Sequence, residues 1–130
     1  MKTLLVVDDE PKICEFLSTF FASRGFQVRV ACSGHEALKL VSRQAPDYLL
    51  LDIHMPDMSG LEVLELVKEL CPDVKVIMAT AAEDDETVEK AFRLGAVGYV
   101  TKPFGADDAT WARIFFDLDD SNEGKGAQPA

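Results

Sequence analysis

Several apolar runs in this chain end on residues that can hold a cation or handle a phosphoryl group. Leu4-Leu5-Val6-Val7 is followed by Asp8-Asp9-Glu10, Leu49-Leu50-Leu51 by Asp52, and Ile77-Met78-Ala79 by Thr80, while Lys102-Pro103 follows Gly98-Tyr99-Val100. A single aspartate after an apolar run is an ordinary turn or cap residue. Four runs that each deliver a polar or charged group are hard to assign to solvation alone. Carboxylates drawn from two neighbouring strands repel one another unless a cation lies among them. Mg2+ suits such a set, because it takes oxygen ligands in octahedral geometry and keeps several waters. It also draws phosphoryl oxygens and offsets charge during attack by a carboxylate. Lys102 adds a second positive centre and the Thr80 hydroxyl a hydrogen bond.

Other phosphate chemistries fit less well. The chain has no G-x-x-x-x-G-K-[ST] and no G-x-G-x-x-G. A flavin site would want neutral donors after the first strand, where Asp8-Asp9-Glu10 repels a phosphate. His35 and His54 lack the spacing of a metal pair; His35 reads as a surface residue, and His54, two past Asp52, is left open between site and surface. The net charge of −10 repels nucleic-acid backbones and anionic lipid, so neither is an expected direct partner. No signal peptide opens the chain and no run approaches the roughly 18 apolar residues of a membrane span. Cys14, Cys32 and Cys71 sit in apolar contexts without metal spacing, so buried free thiols and a reducing cytoplasm are expected.

The elements that must place these groups alternate between two periods. Strands are expected at Leu4 to Val7, Phe26 to Val30, Tyr48 to Leu51, Val74 to Ala79 and Gly98 to Val100. Pro11 opens a first helix with Ile13, Phe16, Leu17, Phe20 and Phe21 on its buried face and Gly25 as its stop. Ser33 caps a second helix carrying Ala37, Leu38 and Val41. Ser59 to Leu70 forms a third, acidic Glu83-Asp84-Asp85-Glu86 opens a fourth that ends at Gly95, and Asp107 to Leu118 a fifth. Strands alternating with helices imply an α/β fold, a doubly wound parallel sheet covered on both faces. Ligands then sit outside the carboxyl ends of the strands, where all four polar groups fall. One domain over residues 1–119 is expected, with the polar stretch 120–130 a disordered tail or the start of a linker.

With these residues in view, the chain resembles the receiver domain of two-component response regulators, through VVDDEP, LLLDIHMPDMSG, MATA and GYVTKPF. The resemblance spans Lys2 to Leu118. It implies a flavodoxin-like five-stranded sheet of order 2-1-3-4-5 with five helices. It implies that Asp52 is the phosphoacceptor, charged by a histidine kinase or a histidine phosphotransfer protein. Asp9, Asp52 and the backbone carbonyl of His54 would bind Mg2+ directly, with Asp8 acting through water. Thr80 and Lys102 would contact the phosphoryl oxygens, Tyr99 would turn inward on activation, and Lys102-Pro103 would be a cis peptide. Met55-Pro56 and Gly60 match the loop that shapes the acceptor's surroundings. The last helix departs from the pattern, being more aromatic and with its apolar residues displaced by about one position.

The reading is therefore a stand-alone or excised receiver domain that assists its own phosphorylation and hydrolysis but is not otherwise an enzyme. Its output would pass through protein contacts on the face of the fourth helix, fifth strand and last helix, to a second copy or a partner, with Trp111 or Phe116 in the contact. Two rivals are a binding module of the same fold that is never phosphorylated and a Mg2+-dependent aspartyl phosphohydrolase with His54 as its acid.

Overall fold

The computed structural model describes residues 1–81 and 83–102. Pro103, the expected fifth helix with Trp111 and Phe116, and the tail 120–130 lie outside the described residues. Within them the order is β1 (Thr3–Val7), α1 (Pro11–Ala22), β2 (Gln27–Ala31), α2 (Gly34–Arg43), β3 (Tyr48–Leu51), α3 (Gly60–Leu70), β4 (Lys75–Thr80), α4 (Asp85–Arg93) and β5 (Gly98–Thr101). The strands form one sheet of order β2-β1-β3-β4-β5, every neighbouring pair parallel. The chain winds outward in both directions from β1, so the crevice between the carboxyl ends of β1 and β3 is the switch point where ligands gather in such sheets.

Alternation along the strands splits the core in two. Leu4, Val6, Leu50 and Ile77 pack with Cys14, Leu17 and Phe21 of α1 on one face. Leu5, Val7, Leu51 and Met78 pack with Ala37 and Val41 of α2 and with Val63, Leu64 and Val67 of α3 on the other. Because β1, β3 and β4 are covered on both sides, they read as unbroken apolar runs rather than alternating ones. A strand so enclosed places the residue just past its end with little freedom, and those residues are the polar ones.

Helix starts follow local chemistry. Pro11 supplies the preset φ of α1, and Ser33 accepts from the Glu36 N–H at the start of α2. Ser59 is the cap of α3 rather than its first residue, and with Glu62 it forms a reciprocal capping box. Asp84 caps α4, so Glu83 lies before that helix instead of opening it. Gly25 and Gly95 stop α1 and α4 at φ of 93° and 113°, values that favour glycine.

Three burial expectations need correction. Phe16 lies on the flank of the α1 face and is 37% exposed, because Cys14, Leu17 and Phe21 take the centre of the stripe. All three thiols are free, but Cys14 is buried, Cys71 half-buried and Cys32 exposed. Cys32 follows edge strand β2, whose residues are largely half-buried, so no second neighbouring strand covers it.

Candidate functional site

Backbone pairing runs one residue past the strands and fixes the polar groups in place. The Asp52 N–H donates to the Val7 carbonyl at 3.1 Å, the Asp8 N–H to the Ala31 carbonyl at 3.2 Å, and the Lys102 N–H to the Thr80 carbonyl at 2.7 Å. Asp8, Asp52 and Thr80 are 3%, 4% and 0% exposed, and they are the buried polar residues among the described ones. Asp9 and Glu10, by contrast, face solvent.

Each oxygen of Asp52 has its own partners. Oδ1 accepts from the Thr80 hydroxyl at 2.6 Å and the His54 N–H at 3.2 Å. Oδ2 faces the Lys102 ammonium at 3.2 Å, which also reaches Asp8 Oδ2 and Glu10 Oε1, each at 2.9 Å. Asp8 Oδ1 accepts from the Glu10 N–H at 2.9 Å, which folds the turn after β1. Burial opposes the Lys102 charge, yet the hydrogen bonds it donates to Asp8, Glu10 and Asp52 outweigh that and raise the ammonium above its ordinary value. Burial lifts the Asp8 carboxyl above the usual range, against the pull of Lys102 and the Glu10 N–H, and the nearby Asp52 adds to the rise. Beneath them, burial pushes the Cys14 thiol up to about 11 while its Sγ donates to the Asp8 carbonyl at 3.2 Å.

One oxygen from each of Asp8, Asp9 and Asp52 lies within 4.8 Å of the others. This acidic pocket can hold a metal. An all-oxygen donor set suits a hard divalent cation, and two of the three carboxylates, Asp8 and Asp52, are buried side by side with the Lys102 ammonium against both. The residues present therefore fit such an ion.

The sequence matches the family described as the response regulator receiver domain over residues 4–112. The chain belongs to that family. The regulatory protein AtoC of Escherichia coli (strain K12) is 41% identical over 105 residues, covering 81% of this chain and 23% of AtoC. The crystal structure of a CheY-like response regulator receiver domain protein from Methanospirillum hungatei JF-1 is 31% identical, with a TM-score of 0.87 and coverage of 95% of this chain and 99% of that one. The CheX-CheY-BeF3-Mg2+ complex from Borrelia burgdorferi matches at 27% identity and TM-score 0.85, covering 91% of this chain and 89% of that one. The chain spans less than half the length of AtoC and of several other regulators it matches. No helix among the described residues is long and apolar enough to cross a membrane.

In this receiver domain the loop after Asp52 is packed tightly. A Cβ on Gly60 would lie 2.1 Å from the Asp52 carbonyl oxygen and 2.7 Å from the Ile53 Cα, while the Gly60 N–H donates to the Ile53 carbonyl at 2.7 Å. Only glycine lets α3 start this close to the Asp52 backbone. The His54 ring pairs with Glu83, Nε2 to Oε2 at 2.5 Å, so His54 meets Asp52 through its peptide and not its side chain.

Tyr99 pairs across from Met78 on β5. Its ring stands 6.5 Å from Phe92. Its hydroxyl is buried without a hydrogen-bond partner among the described residues, and burial raises its pKa. The structure thus brings Asp8, Asp9, Asp52, Thr80 and Lys102 together and sets Tyr99 one strand away. The Lys102-Pro103 peptide lies outside the described residues. Two participants went unremarked in the sequence: Glu10 as a third partner of Lys102, and Glu83 as the partner of the His54 ring. Glu10 carried a signal, since it sits within the acidic triplet. Glu83 carried none, because a charge run before a helix looks the same whether or not one of its members reaches across to another loop.

Proposed function

We propose that Asp52 accepts a phosphoryl group from the phosphohistidine of a histidine kinase or a histidine phosphotransfer protein, in a Mg2+-dependent reaction. The observation that carries this is the division of labour at Asp52: Thr80 holds one oxygen at 2.6 Å and Lys102 the other at 3.2 Å, beside two further carboxylates. Asp9, Asp52 and the His54 carbonyl are the direct ligands in this reading, with Asp8 acting through water. When bound, Mg2+ neutralises phosphoryl oxygens and the crowded carboxylates. The Borrelia burgdorferi complex, which pairs a receiver with BeF3 and Mg2+, supports this choice of ion.

An Asp52 oxygen forms the new O–P bond, the P–N bond to the donor imidazole breaks, and the departing nitrogen keeps the electron pair and takes a proton. The three carboxylate partners of Lys102 keep it charged, so it can stabilise the transferring oxygens. Thr80 then turns its hydroxyl from the carboxylate to the phosphoryl group, and the ring of Tyr99 follows it inward. That shift would reach α4, β5 and the last helix, altering the face offered to a second copy or an output partner in the cytoplasm.

The chain acts on itself and turns over no separate substrate. The His54 ring, paired with Glu83, supplies no acid at Asp52, which weighs against an aspartyl phosphohydrolase. Acetyl phosphate or phosphoramidate with Mg2+ should add one phosphoryl group by intact mass, and Asp52→Asn should take none. A fully labelled Asn variant would overturn the assignment, and an unlabelled wild type would favour the never-phosphorylated binding module.

A further inference from the structure

The loop from Ile53 to Ser59 forms one wall of the cleft beside Asp9, with His54, Met55 and Pro56 in its lining. Its two ends are fixed by the Asp52 and Gly60 backbone bonds already described. Its middle is fixed elsewhere. Asp57 Oδ1 accepts from the Gly34 N–H at 3.1 Å, Oδ2 accepts from the His35 N–H at 2.9 Å, and the same oxygen meets His35 Nδ1 at 2.6 Å. Gly34 and His35 open α2, and their N–H groups have no partner within the helix. Ser33 satisfies only Glu36, so a carboxylate 22 residues away completes the cap. Those two backbone donors and the His35 ring hold the Asp57 carboxyl well below the usual carboxylate range, so it stays ionised and keeps its grip.

The next residue tightens the joint. A Cβ on Gly34 would come 2.3 Å from Met58 Cγ and 2.9 Å from Val63 Cγ2, so the loop lies flat against the start of α2. Between this joint and Asp52 stand only Ile53, His54, Met55 and Pro56. Met55 is packed against the core, and the His54 N–H bonds Asp52. A proline in the span removes further freedom.

We propose that Asp57 is a positioning residue: by capping α2 across the fold, it sets the height of the acceptor loop and so the placement of the His54 peptide beside Asp52. The inference rests on the phosphoacceptor and Mg2+ reading above. It assigns no contact between Asp57 and the metal or the phosphoryl group. Asp57 acts through the loop, as residues that orient metal ligands do.

The test compares Asp57→Ala, Asp57→Asn and Ser33→Ala in the full chain, below the melting temperature of all three. Mg2+ binding is read by calorimetry, the Mg2+ dependence of labelling by acetyl phosphate, and amide exchange at Gly34 and His35 by NMR. Asp57→Ala should expose both amides and raise the half-saturating Mg2+ concentration about tenfold, the low end for residues that orient metal ligands. Asp57→Asn, which keeps one acceptor oxygen, should fall between it and the wild type. Ser33→Ala removes a cap of the same helix without touching the loop, so it should melt lower yet keep the wild-type Mg2+ midpoint. Unchanged Mg2+ binding in Asp57→Ala would overturn the proposal. An equal loss in Ser33→Ala would do so too, by tracing the effect to helix stability. Failure of the underlying reading looks different: no label on the wild type at any Mg2+ concentration, with calorimetry still deciding whether Asp57 sets the ion's affinity.

Discussion

Strand β3 has an aspartate just before it and another just after it, and the two live in different surroundings. Asp47, at the amino end, is exposed. Its Oδ2 accepts from the Thr3 N–H at 2.9 Å and the Thr3 hydroxyl at 3.1 Å, and its own N–H donates back to Thr3 Oγ1 at 2.9 Å. Every one of those partners is neutral, and water screens the charge that remains. Asp52, at the carboxyl end, is buried beside Asp8, and a single ammonium balances the group. The first aspartate splices β1 to β3. The second lies among like charges whose repulsion a bound cation would relieve. Both are aspartates bordering one strand, but at opposite ends, and what sets Asp52 apart is its burial and the company of like charges.

Exchanging the two aspartates breaks the comparison most sharply. Asp52→Asn should lose all labelling, whereas Asp47→Ala should label at the wild-type rate and only melt a few degrees lower, as the loss of two exposed hydrogen bonds allows. Labelling that fell alongside stability in Asp47→Ala would show that the two ends are coupled. Next in size is Gly60→Ala, which drives a methyl group into the Asp52 carbonyl. It should cost about 1–3 kcal/mol of stability by chemical denaturation and slow labelling by about 100-fold through the displaced acceptor.

Mg2+ sharpens the comparison at smaller scale. At ten times its dissociation constant it should stabilise the wild type and Asp47→Ala alike by about 1.4 kcal/mol. Asp9→Ala should lose that gain and the label together, as read by thermal melts across a Mg2+ titration. The smallest effect is on pH dependence. The Asp8 carboxyl, lifted mainly by burial, binds its proton more tightly in the folded chain than in the unfolded one. Stability therefore falls as pH rises from the ordinary carboxylate range through the folded Asp8 value, and that contribution is fully lost above it. Asp8→Asn should flatten the slope and melt higher than wild type at neutral pH, in melts without divalent ions. A steeper slope in the variant would contradict the burial argument.

Much of this could be read from the chain because the deciding interactions are local or periodic. Leu49-Leu50-Leu51-Asp52 announces a strand covered on both faces and then a polar terminus, and the same holds for Val6-Val7-Asp8. Burial at the margin of a stripe is less legible. Phe16 obeys the helical period of α1 yet stays 37% exposed, because a 3.6-residue repeat names a face and not its edges. Least legible are bonds made across the fold. Asp57 looks like a turn residue and Glu83 like part of a charge run until tertiary structure sets them against His35 and His54. Lys102 and Glu10 are 92 residues apart, and nothing in either local pattern names the other.

Among the nine residues of α4 only Ala91 is buried. Its ends carry much local chemistry: the Asp84 cap, Asp85 and Glu86 in the first turn, Lys90 and Arg93 in the last. Interactions of that kind weaken as ions screen them, whereas buried and partly buried pairs are screened much less. The element expected to carry the signal outward thus has ends that respond to the ionic strength around them. Raising salt should loosen α4 before it disturbs the bonds that join Asp8 and Asp52 to Lys102.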